Sequence, residues 1–242
     1  MRIISRVDIK NDFVIKGIQM EGLRKLGRPF DFLKKYYKEG IDEIILIDIV
    51  ATLYRRNNLF GVVEKAAKEI FVPMTLGGGI KSLKDVEDSF FSGADKVAVN
   101  TQAVKNPKFV SKIVKKYGSQ ALVGYIEAKT IGENKWEAYI NSGRDKTGLN
   151  VVDWAKKLIN LGVGELMIVS IDRDGTLTGP DYKLVSSISK FCEIPLIVGG
   201  GISNTKHIKK LLDIANPSGI YISSALHYNK LKIKDLKKNS IS

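Results

Sequence analysis

The 242-residue sequence predicts an α/β fold, namely a (β/α)8 TIM barrel made of two similar half-barrels. Eight short apolar runs alternate with helical patterns, which is typical of a parallel sheet covered by helices. Glycine triplets at 77–79 and 199–201 each follow such a run, about half a chain apart. This repetition favours an internal duplication. We therefore expect one domain over residues 1–242, with half-barrels of about 1–120 and 121–242.

The individual elements follow in order from these runs. Those that predict strands are 3–7, 43–47, 72–76, 96–99, 121–126, 165–169, 195–198 and 219–222. The patterns that predict helices are 30–38, 59–70, 83–91, 109–117, 151–161, 182–191 and 208–212, with a short helix at 231–236. Gly93, Gly118 and Gly162 follow three of these helices, where a C-cap residue adopts positive φ.

The composition narrows the class of protein. The net charge is +13, but the lysines are spread along helical segments, so we expect no nucleic-acid partner. No apolar stretch reaches about 18 residues and the N-terminus does not resemble a signal peptide, so we expect no membrane contact and a cytoplasmic location. The single Cys192 and two isolated histidines predict no disulfide, no metal site and no cofactor.

Polar residues follow nearly every predicted strand, at the end of the barrel where the loops after the strands meet. The carboxylates Asp8 and Glu127 close equivalent strands in the two halves. Small hydrogen-bonding residues form a second equivalent pair, Asn100-Thr101 and Ser223-Ser224. A glycine-rich turn between a strand and a helix lets backbone N–H groups approach an anion. Two such turns predict a small-molecule ligand with a phosphate at each end.

The order of these motifs resembles the HisF family, the cyclase subunit of imidazole glycerol phosphate synthase. The matching segments are RVDIK at 6–10, KG at 16–17, DI at 48–49, GGGI at 77–80, DKVAVNT at 95–101, GSQ at 118–120, SG at 142–143, TG at 147–148, SIDRDGT at 170–176 and His227. The resemblance implies a lyase of histidine biosynthesis that takes ammonia from a separate, HisH-like glutaminase subunit in a heterodimer. It would add the ammonia to phosphoribulosyl-formimino-AICAR phosphate (PRFAR), giving imidazole glycerol phosphate and AICAR.

The resemblance also assigns roles to residues. Asp8 and Glu127 would be the catalytic acid and base on opposite faces of the substrate. Substrate contacts would come from Lys16, Asp48, Gly78, Gly79, Asn100, Thr101, Ser142, Asp174, Gly175, Gly200, Gly201, Ser223 and Ser224. The charged residues of an ammonia gate at the opposite end would be Arg2, Glu43, Lys96 and Glu165. Structural alternatives are a helix N-cap for Asp48 or Asp174, an exposed lysine for Lys16, and a salt-bridged plug for the gate.

Two departures keep other functions open. Glu127 stands where the family usually has aspartate, and Arg28 stands where it usually has an acidic residue. These departures favour a HisF-like paralogue that channels glutaminase-derived ammonia for acetamidino or amidino modification of a surface sugar. Retention of Asp8, Asp174 and both glycine triplets favours the cyclase. The sister barrel HisA, a sugar isomerase, is a third alternative, against which the gate charges argue.

Overall fold

The computed structural model describes residues 1–51 and 59–238, and its strands form one sheet. In chain order the strands are β1 (Arg2–Lys10), β2 (Phe13–Ile18), β3 (Glu21–Gly27), β4 (Glu43–Asp48), β5 (Met74–Gly77), β6 (Lys96–Val99), β7 (Leu122–Gly132), β8 (Lys135–Ile140), β9 (Asp145–Asn150), β10 (Glu165–Ser170), β11 (Leu196–Gly199) and β12 (Gly219–Ile222). The helices within these ranges are α1 (Pro29–Lys38), α2 (Phe60–Ala67), α3 (Leu83–Phe91), α4 (Thr101–Lys105), α5 (Pro107–Tyr117), α6 (Val151–Asn160), α7 (Tyr182–Ser189), α8 (Thr205–Ile214), α9 (Ser224–His227) and α10 (Ile233–Lys238).

Eight parallel strands close into a barrel. Their order is β1-β4-β5-β6-β7-β10-β11-β12, and β12 pairs back onto β1 with Arg2 opposite Gly219. The predicted (β/α)8 barrel is therefore confirmed. In this ring β1 stands opposite β7, and the pair β5–β6 stands opposite β11–β12. Equivalent features of the two halves consequently face each other across the barrel axis.

Strand alternation divides the core into two layers, because successive side chains point to opposite faces. On β1, Ile3 and Val7 pack outward in the layer between sheet and helices, whereas Ile4 packs in the inner cluster. The same inner cluster contains Met167 and Ile197 from the far side of the barrel. The barrel interior is thus filled with side chains, which gives the mouth a rigid floor.

Local sequence explains where the helices begin. Ser82 caps α3 in a capping box, since its side chain accepts from the Asp85 N–H and the Asp85 carboxylate accepts from the Ser82 N–H. Asn150 caps α6 by accepting from the N–H groups of Val152 and Asp153. Each helix then places an apolar stripe on the sheet.

Two hairpins at the mouth were missed in the sequence. One, β2–β3, follows β1, and the other, β8–β9, follows β7; both pair antiparallel with the strand before them. Each first turn contains an asparagine at positive φ, Asn11 at 54° and Asn134 at 52°, a conformation that asparagine tolerates. The second strands of the hairpins, β3 and β9, are rich in polar and charged residues, which made these segments read as loops.

The hairpins correct three placements. Strands β1 and β7 continue into them, so Asp8 and Glu127 lie within strands rather than after them. Lys16, expected in a loop, lies in β2. Strand β5 begins at Met74, later than predicted, after Pro73, which has no N–H to donate to a ladder.

Within 1–51 and 59–238, every helix is too short or too polar to span a bilayer.

Candidate active site

The carboxylates of Asp8 and Glu127 occupy opposite sides of the barrel mouth. Asp8 projects from β1 and Glu127 from β7, and both side chains are buried. Strands β1 and β7 are four places apart in a ring of eight, so a molecule in the mouth has one carboxylate on each side. The structure therefore gives these two residues the opposed arrangement that acid–base chemistry on both faces of a ligand needs.

Asp8 belongs to a buried ionic cluster of two cations and two carboxylates. Its Oδ1 accepts from Arg6 Nε at 2.8 Å and its Oδ2 accepts from Lys16 Nζ at 3.1 Å. Lys16 Nζ also donates to Asp174 Oδ2 at 2.8 Å. All four side chains are nearly inaccessible to solvent. The β2–β3 hairpin thus brings Lys16 onto the mouth and joins Asp8 to Asp174.

The two carboxylates have different electrostatic surroundings. Burial acts to raise the pKa of Asp8, but the charges of Arg6 and Lys16 outweigh it and hold that pKa below its usual value. Burial raises the pKa of Glu127 to about 7, because the hydrogen bond from the Gly143 N–H, at 2.8 Å, and the charge of Arg6 only partly offset it. At neutral pH Asp8 is ionised while Glu127 holds a proton in a large fraction of molecules.

The raised pKa of Glu127 predicts a stability gain for Glu127→Gln at high pH. A carboxyl whose folded-state pKa lies above its unfolded value loses stability as pH rises from the unfolded value to about 7. Glutamine has no charge to bury. Urea unfolding at about pH 5 and pH 8 measures the effect. The free energy of unfolding of the variant, relative to that of wild type, should be higher at pH 8 than at pH 5 by an amount on the order of 3 kcal/mol.

The control for this experiment is Glu133→Gln, at an exposed position in the turn before β8. We expect its unfolding free energy to change between the two pH values as that of the wild type does. An identical pH dependence in Glu127→Gln and wild type would contradict a raised Glu127 pKa.

A cavity of about 150 Å³ lies at the first glycine triplet. Its walls come from the ends of β4, β5, β6 and β7 and from the turn after β8. Of the residues singled out in the sequence, it contains Asp48, Gly78, Gly79, Asn100, Thr101, Glu127 and Ser142. Two lysines that the sequence did not single out, Lys81 and Lys105, also line it. Their charges make this cavity suitable for a phosphate.

The β8–β9 hairpin holds several of these side chains. Asn100 Nδ2 donates to the Tyr139 carbonyl at 3.1 Å, and Ser142 Oγ donates to the Ile49 carbonyl at 3.0 Å. Asp48 Oδ1 accepts from the N–H groups of Val50 and Ala51, and the segment 52–58, where a helix capped by Asp48 would run, lies outside the described residues. Asp48 also lines the cavity, and its Oδ2 is not used by these N–H groups.

The second glycine triplet forms a smaller cavity of about 10 Å³ on the opposite side of the mouth. Six of the residues that the sequence proposed as substrate contacts lie around it: Asp174, Gly175, Gly200, Gly201, Ser223 and Ser224. Ser223 Oγ lies 3.1 Å from Nε2 of His227, and the other ring nitrogen of His227, Nδ1, lies 2.6 Å from Tyr36 Oη. Burial lowers the pKa of His227 to about 3, so the ring is neutral. Within the described chain, Ser224 Oγ is buried without a hydrogen-bond partner and is available to a ligand.

Backbone geometry requires glycine at one position in each triplet. Gly78 has φ of +91°, and a Cβ there would lie 2.1 Å from the Asp48 carbonyl oxygen. Gly201 has φ of +77°, and a Cβ there would lie 2.4 Å from the Gly179 carbonyl oxygen. Since carbonyl oxygens of the backbone cannot rotate away, a side chain at either position would distort the cavity wall.

Gly78→Ala is therefore expected to destabilise the fold more than Gly40→Ala. Gly40 has a similar φ of +87° but open space around the added Cβ, so it isolates the conformational cost, about 1 kcal/mol. Gly78→Ala should cost about 2 kcal/mol more because of the clash with Asp48. Urea unfolding measures both. Equal losses would show that the close approach at Gly78 is relieved without strain.

The other end of the barrel carries a closed ring of charges. Arg2 donates to both Glu43 and Glu165, while Lys96 Nζ lies 3.0 Å from Glu43 Oε1 and 2.9 Å from Glu165 Oε2. Thr75 Oγ1 also donates to Glu43. The four residues proposed from the sequence therefore alternate in sign around the barrel axis. The ring closes the end away from the Asp8 and Glu127 carboxylates.

Sequence reasoning missed Arg6, Gly143 and the Tyr36 partner of His227. A signal existed for Arg6, since a charged residue two places before Asp8 in an apolar strand must share its face. The Gly143 contact depends on the hairpin that was read as a loop. Among residues 1–51 and 59–238, no group of three or more histidine, cysteine or acidic side chains is arranged to hold a metal ion.

Comparison with known proteins places the chain in a family. The profile of the family described as "Histidine biosynthesis protein" matches residues 2–232. A Bacillus cereus (strain G9842) protein named imidazole glycerol phosphate synthase subunit HisF is 39% identical over 98% of this chain and 94% of its own length. A Legionella pneumophila protein of the same name is 46% identical over 84% of this chain and 95% of its own length. The chain therefore belongs to the HisF family of histidine biosynthesis proteins.

Proposed function

We propose that this protein is the cyclase subunit of an imidazole glycerol phosphate synthase, a lyase that converts PRFAR and ammonia into imidazole glycerol phosphate and AICAR. The observation that carries the proposal is the pair of opposed, buried carboxylates, Asp8 and Glu127, between two glycine-walled cavities. The relatives named HisF support the same activity. The barrel is one domain of two half-barrels, about 1–120 and 121–242, and each half provides the glycine triplet of one cavity.

The substrate spans the mouth with one phosphate in each cavity. In the first, backbone N–H groups at Gly78 and Gly79 and the charges of Lys81 and Lys105 receive a phosphate, with Asn100, Thr101 and Ser142 as further donors. The second cavity binds the other phosphate through the N–H groups at Gly200 and Gly201 and through the Ser224 hydroxyl. Asp48 and Asp174 then lie beside the part of the substrate between the phosphates.

The two carboxylates divide the proton transfers. Ionised Asp8 takes a proton from the ammonia nitrogen as it attacks the ketone carbon of the ribulose, whose oxygen leaves as water. Ring closure forms the bond from that nitrogen to the formimino carbon and breaks the bond from this carbon to the AICAR amine, which receives a proton from Glu127 on the opposite face. Lys16 anchors the β2–β3 hairpin over the mouth through Asp8 and Asp174, which excludes water from the reacting atoms.

Ammonia enters from the opposite end of the barrel. A separate glutaminase subunit docks there in a heterodimer, and the ring of Arg2, Glu43, Lys96 and Glu165 is the gate that ammonia passes. The ring also joins β1, β4, β6 and β10, so it supports the barrel as a plug does. The gate role and the structural role therefore belong to the same four residues.

Turnover of PRFAR by the purified chain tests this function. Excess ammonium salt at high pH supplies neutral ammonia through the open mouth and replaces the glutaminase. The proposal expects PRFAR to be consumed with equal release of AICAR and imidazole glycerol phosphate. Absence of turnover in folded protein would contradict it and would direct attention to the sugar-modifying paralogue.

A further inference from the structure

Arg6 occupies an unusual place for an arginine. It lies in β1 on the same face as Ile4 and Asp8, because side chains of a strand alternate, and that face points into the barrel. Its side chain is only 2% exposed. It therefore sits on the barrel axis, between the inner apolar layer below and the Asp8 carboxylate above.

The guanidinium is fixed from three sides. Its Nε donates to Asp8 Oδ1 at 2.8 Å, and its Nη1 lies 3.9 Å from Asp174 Oδ1. Its Cζ lies 5.8 Å from the ring centre of Tyr125 and 5.6 Å from that of Tyr221, within the range of cation–π attraction. A planar, permanently charged group held in this way can fix the orientation of a carboxylate as well as its charge.

Asp8 has two cationic neighbours of different kinds. Lys16 stands on the β2–β3 hairpin, whose second strand is largely exposed and whose pairing contains register shifts. Arg6 stands on a barrel strand that pairs with β4 and β12. Arg6 is therefore held by the barrel itself, whereas Lys16 is held by a hairpin that adds to the barrel on one side only.

We propose that Arg6 is a positioning residue that holds the Asp8 carboxylate ionised and aimed into the mouth, so that Asp8 acts as the base and Glu127 as the acid. The inference rests on the proposed function for the reaction itself, but the effect of Arg6 on Asp8 is independent of it. The ionisable groups that face Asp8 from the surrounding elements are Arg6, Lys16, Tyr125, Glu127, Asp174, Tyr221 and His227. Of these, Arg6 donates the shortest hydrogen bond to Asp8.

The test compares wild type with Arg6→Met, which keeps an unbranched side chain without the charge, and with Arg6→Lys, which keeps the charge without the Nε–H. Carboxyl carbon NMR of aspartate-labelled protein follows the titration of Asp8, whose signal is identified by its loss in Asp8→Asn. We expect the titration midpoint of Asp8 to rise in Arg6→Met and to stay near wild type in Arg6→Lys. An unchanged midpoint in Arg6→Met overturns the proposal, whether or not the protein turns over PRFAR.

Kinetics provide the second readout. Rates are compared at equal concentrations of neutral ammonia at every pH. The kcat of Arg6→Met should then be at least about tenfold below that of wild type near pH 6, and this difference in kcat should become smaller as the pH rises to about 8. KM for PRFAR should change little. A deficit that is constant across this pH range would indicate a purely structural role and overturn the proposal. If Arg6→Met fails to fold, Arg6→Lys decides: we expect a wild-type titration midpoint for Asp8 with a reduced kcat, because the charge is kept and the planar guanidinium is lost. A kcat equal to wild type would overturn the proposal.

Discussion

Asp8→Asn is expected to lower kcat for ammonia-dependent turnover of PRFAR by about a hundredfold to ten-thousandfold. Asparagine keeps the shape of the side chain but cannot accept a proton from the attacking nitrogen. It also removes the charge that pairs with Arg6 and Lys16, whose hydrogen bonds to Asp8 are 2.8 Å and 3.1 Å long. Initial rates at saturating PRFAR and fixed neutral ammonia measure the effect.

Two controls separate chemistry from folding in this experiment. Asp88→Asn changes an aspartate of α3 that pairs with Lys84 away from the mouth, and it should keep wild-type kcat. Thermal unfolding of Asp8→Asn, followed by circular dichroism, establishes that the variant is folded at the assay temperature. A folded Asp8→Asn protein with wild-type kcat would contradict a catalytic role for Asp8.

Glu43→Ala is expected to lower the free energy of unfolding by about 3 to 5 kcal/mol. Glu43 is 1% exposed and accepts from Arg2, Thr75 and Lys96. Its removal leaves two cations at the end of the barrel with Glu165 as the only carboxylate of the ring. Because breaking a buried ion pair leaves an uncompensated charge, the loss exceeds that of a hydrogen bond alone. Urea unfolding at neutral pH measures the change.

The matched control for this loss is Glu69→Ala. Glu69 pairs with Lys34 on the surface, where both side chains are more than 40% exposed. Water screens such a pair, so its removal should change the free energy of unfolding far less than Glu43→Ala does. Similar losses in the two variants would show that the ring contributes no more than an ordinary surface ion pair.

The barrel could be predicted because its signals are local. Each strand of the closed ring is a short apolar run, and the predicted limits of β6 and β12 agree with the structure at both ends. The opposition of Asp8 and Glu127 also follows from the sequence, since a duplicated barrel places equivalent residues on opposite strands. The strands were predicted from patterns within a few residues, and the opposed carboxylates were predicted from the repeat.

The remainder of the site depends on contacts distant in the chain. Lys16 reaches Asp174, which is 158 positions away, through a hairpin whose second strand has few apolar residues. Gly143 reaches back to Glu127 because the turn after β8 folds over the mouth. The different pKa values of Asp8 and Glu127 arise from these neighbours and from burial. A list of carboxylates in the sequence carries none of that information.

Glu127 remains the departure that bears most on activity. Its carboxylate accepts a hydrogen bond from the Gly143 N–H at 2.8 Å, so the turn after β8 supports the longer side chain. The opposed carboxylates are therefore both held in place in this chain, one by Arg6 and Lys16 and the other by Gly143.

The proposed function requires that this barrel inserts the nitrogen of ammonia into PRFAR. The decisive experiment is incubation of the purified chain with PRFAR and ¹⁵N-labelled ammonium salt, followed by mass spectrometry of the products. We expect equal amounts of AICAR and imidazole glycerol phosphate, with a single ¹⁵N in the imidazole and none in AICAR. Unlabelled products, or PRFAR recovered intact from folded protein, would contradict it.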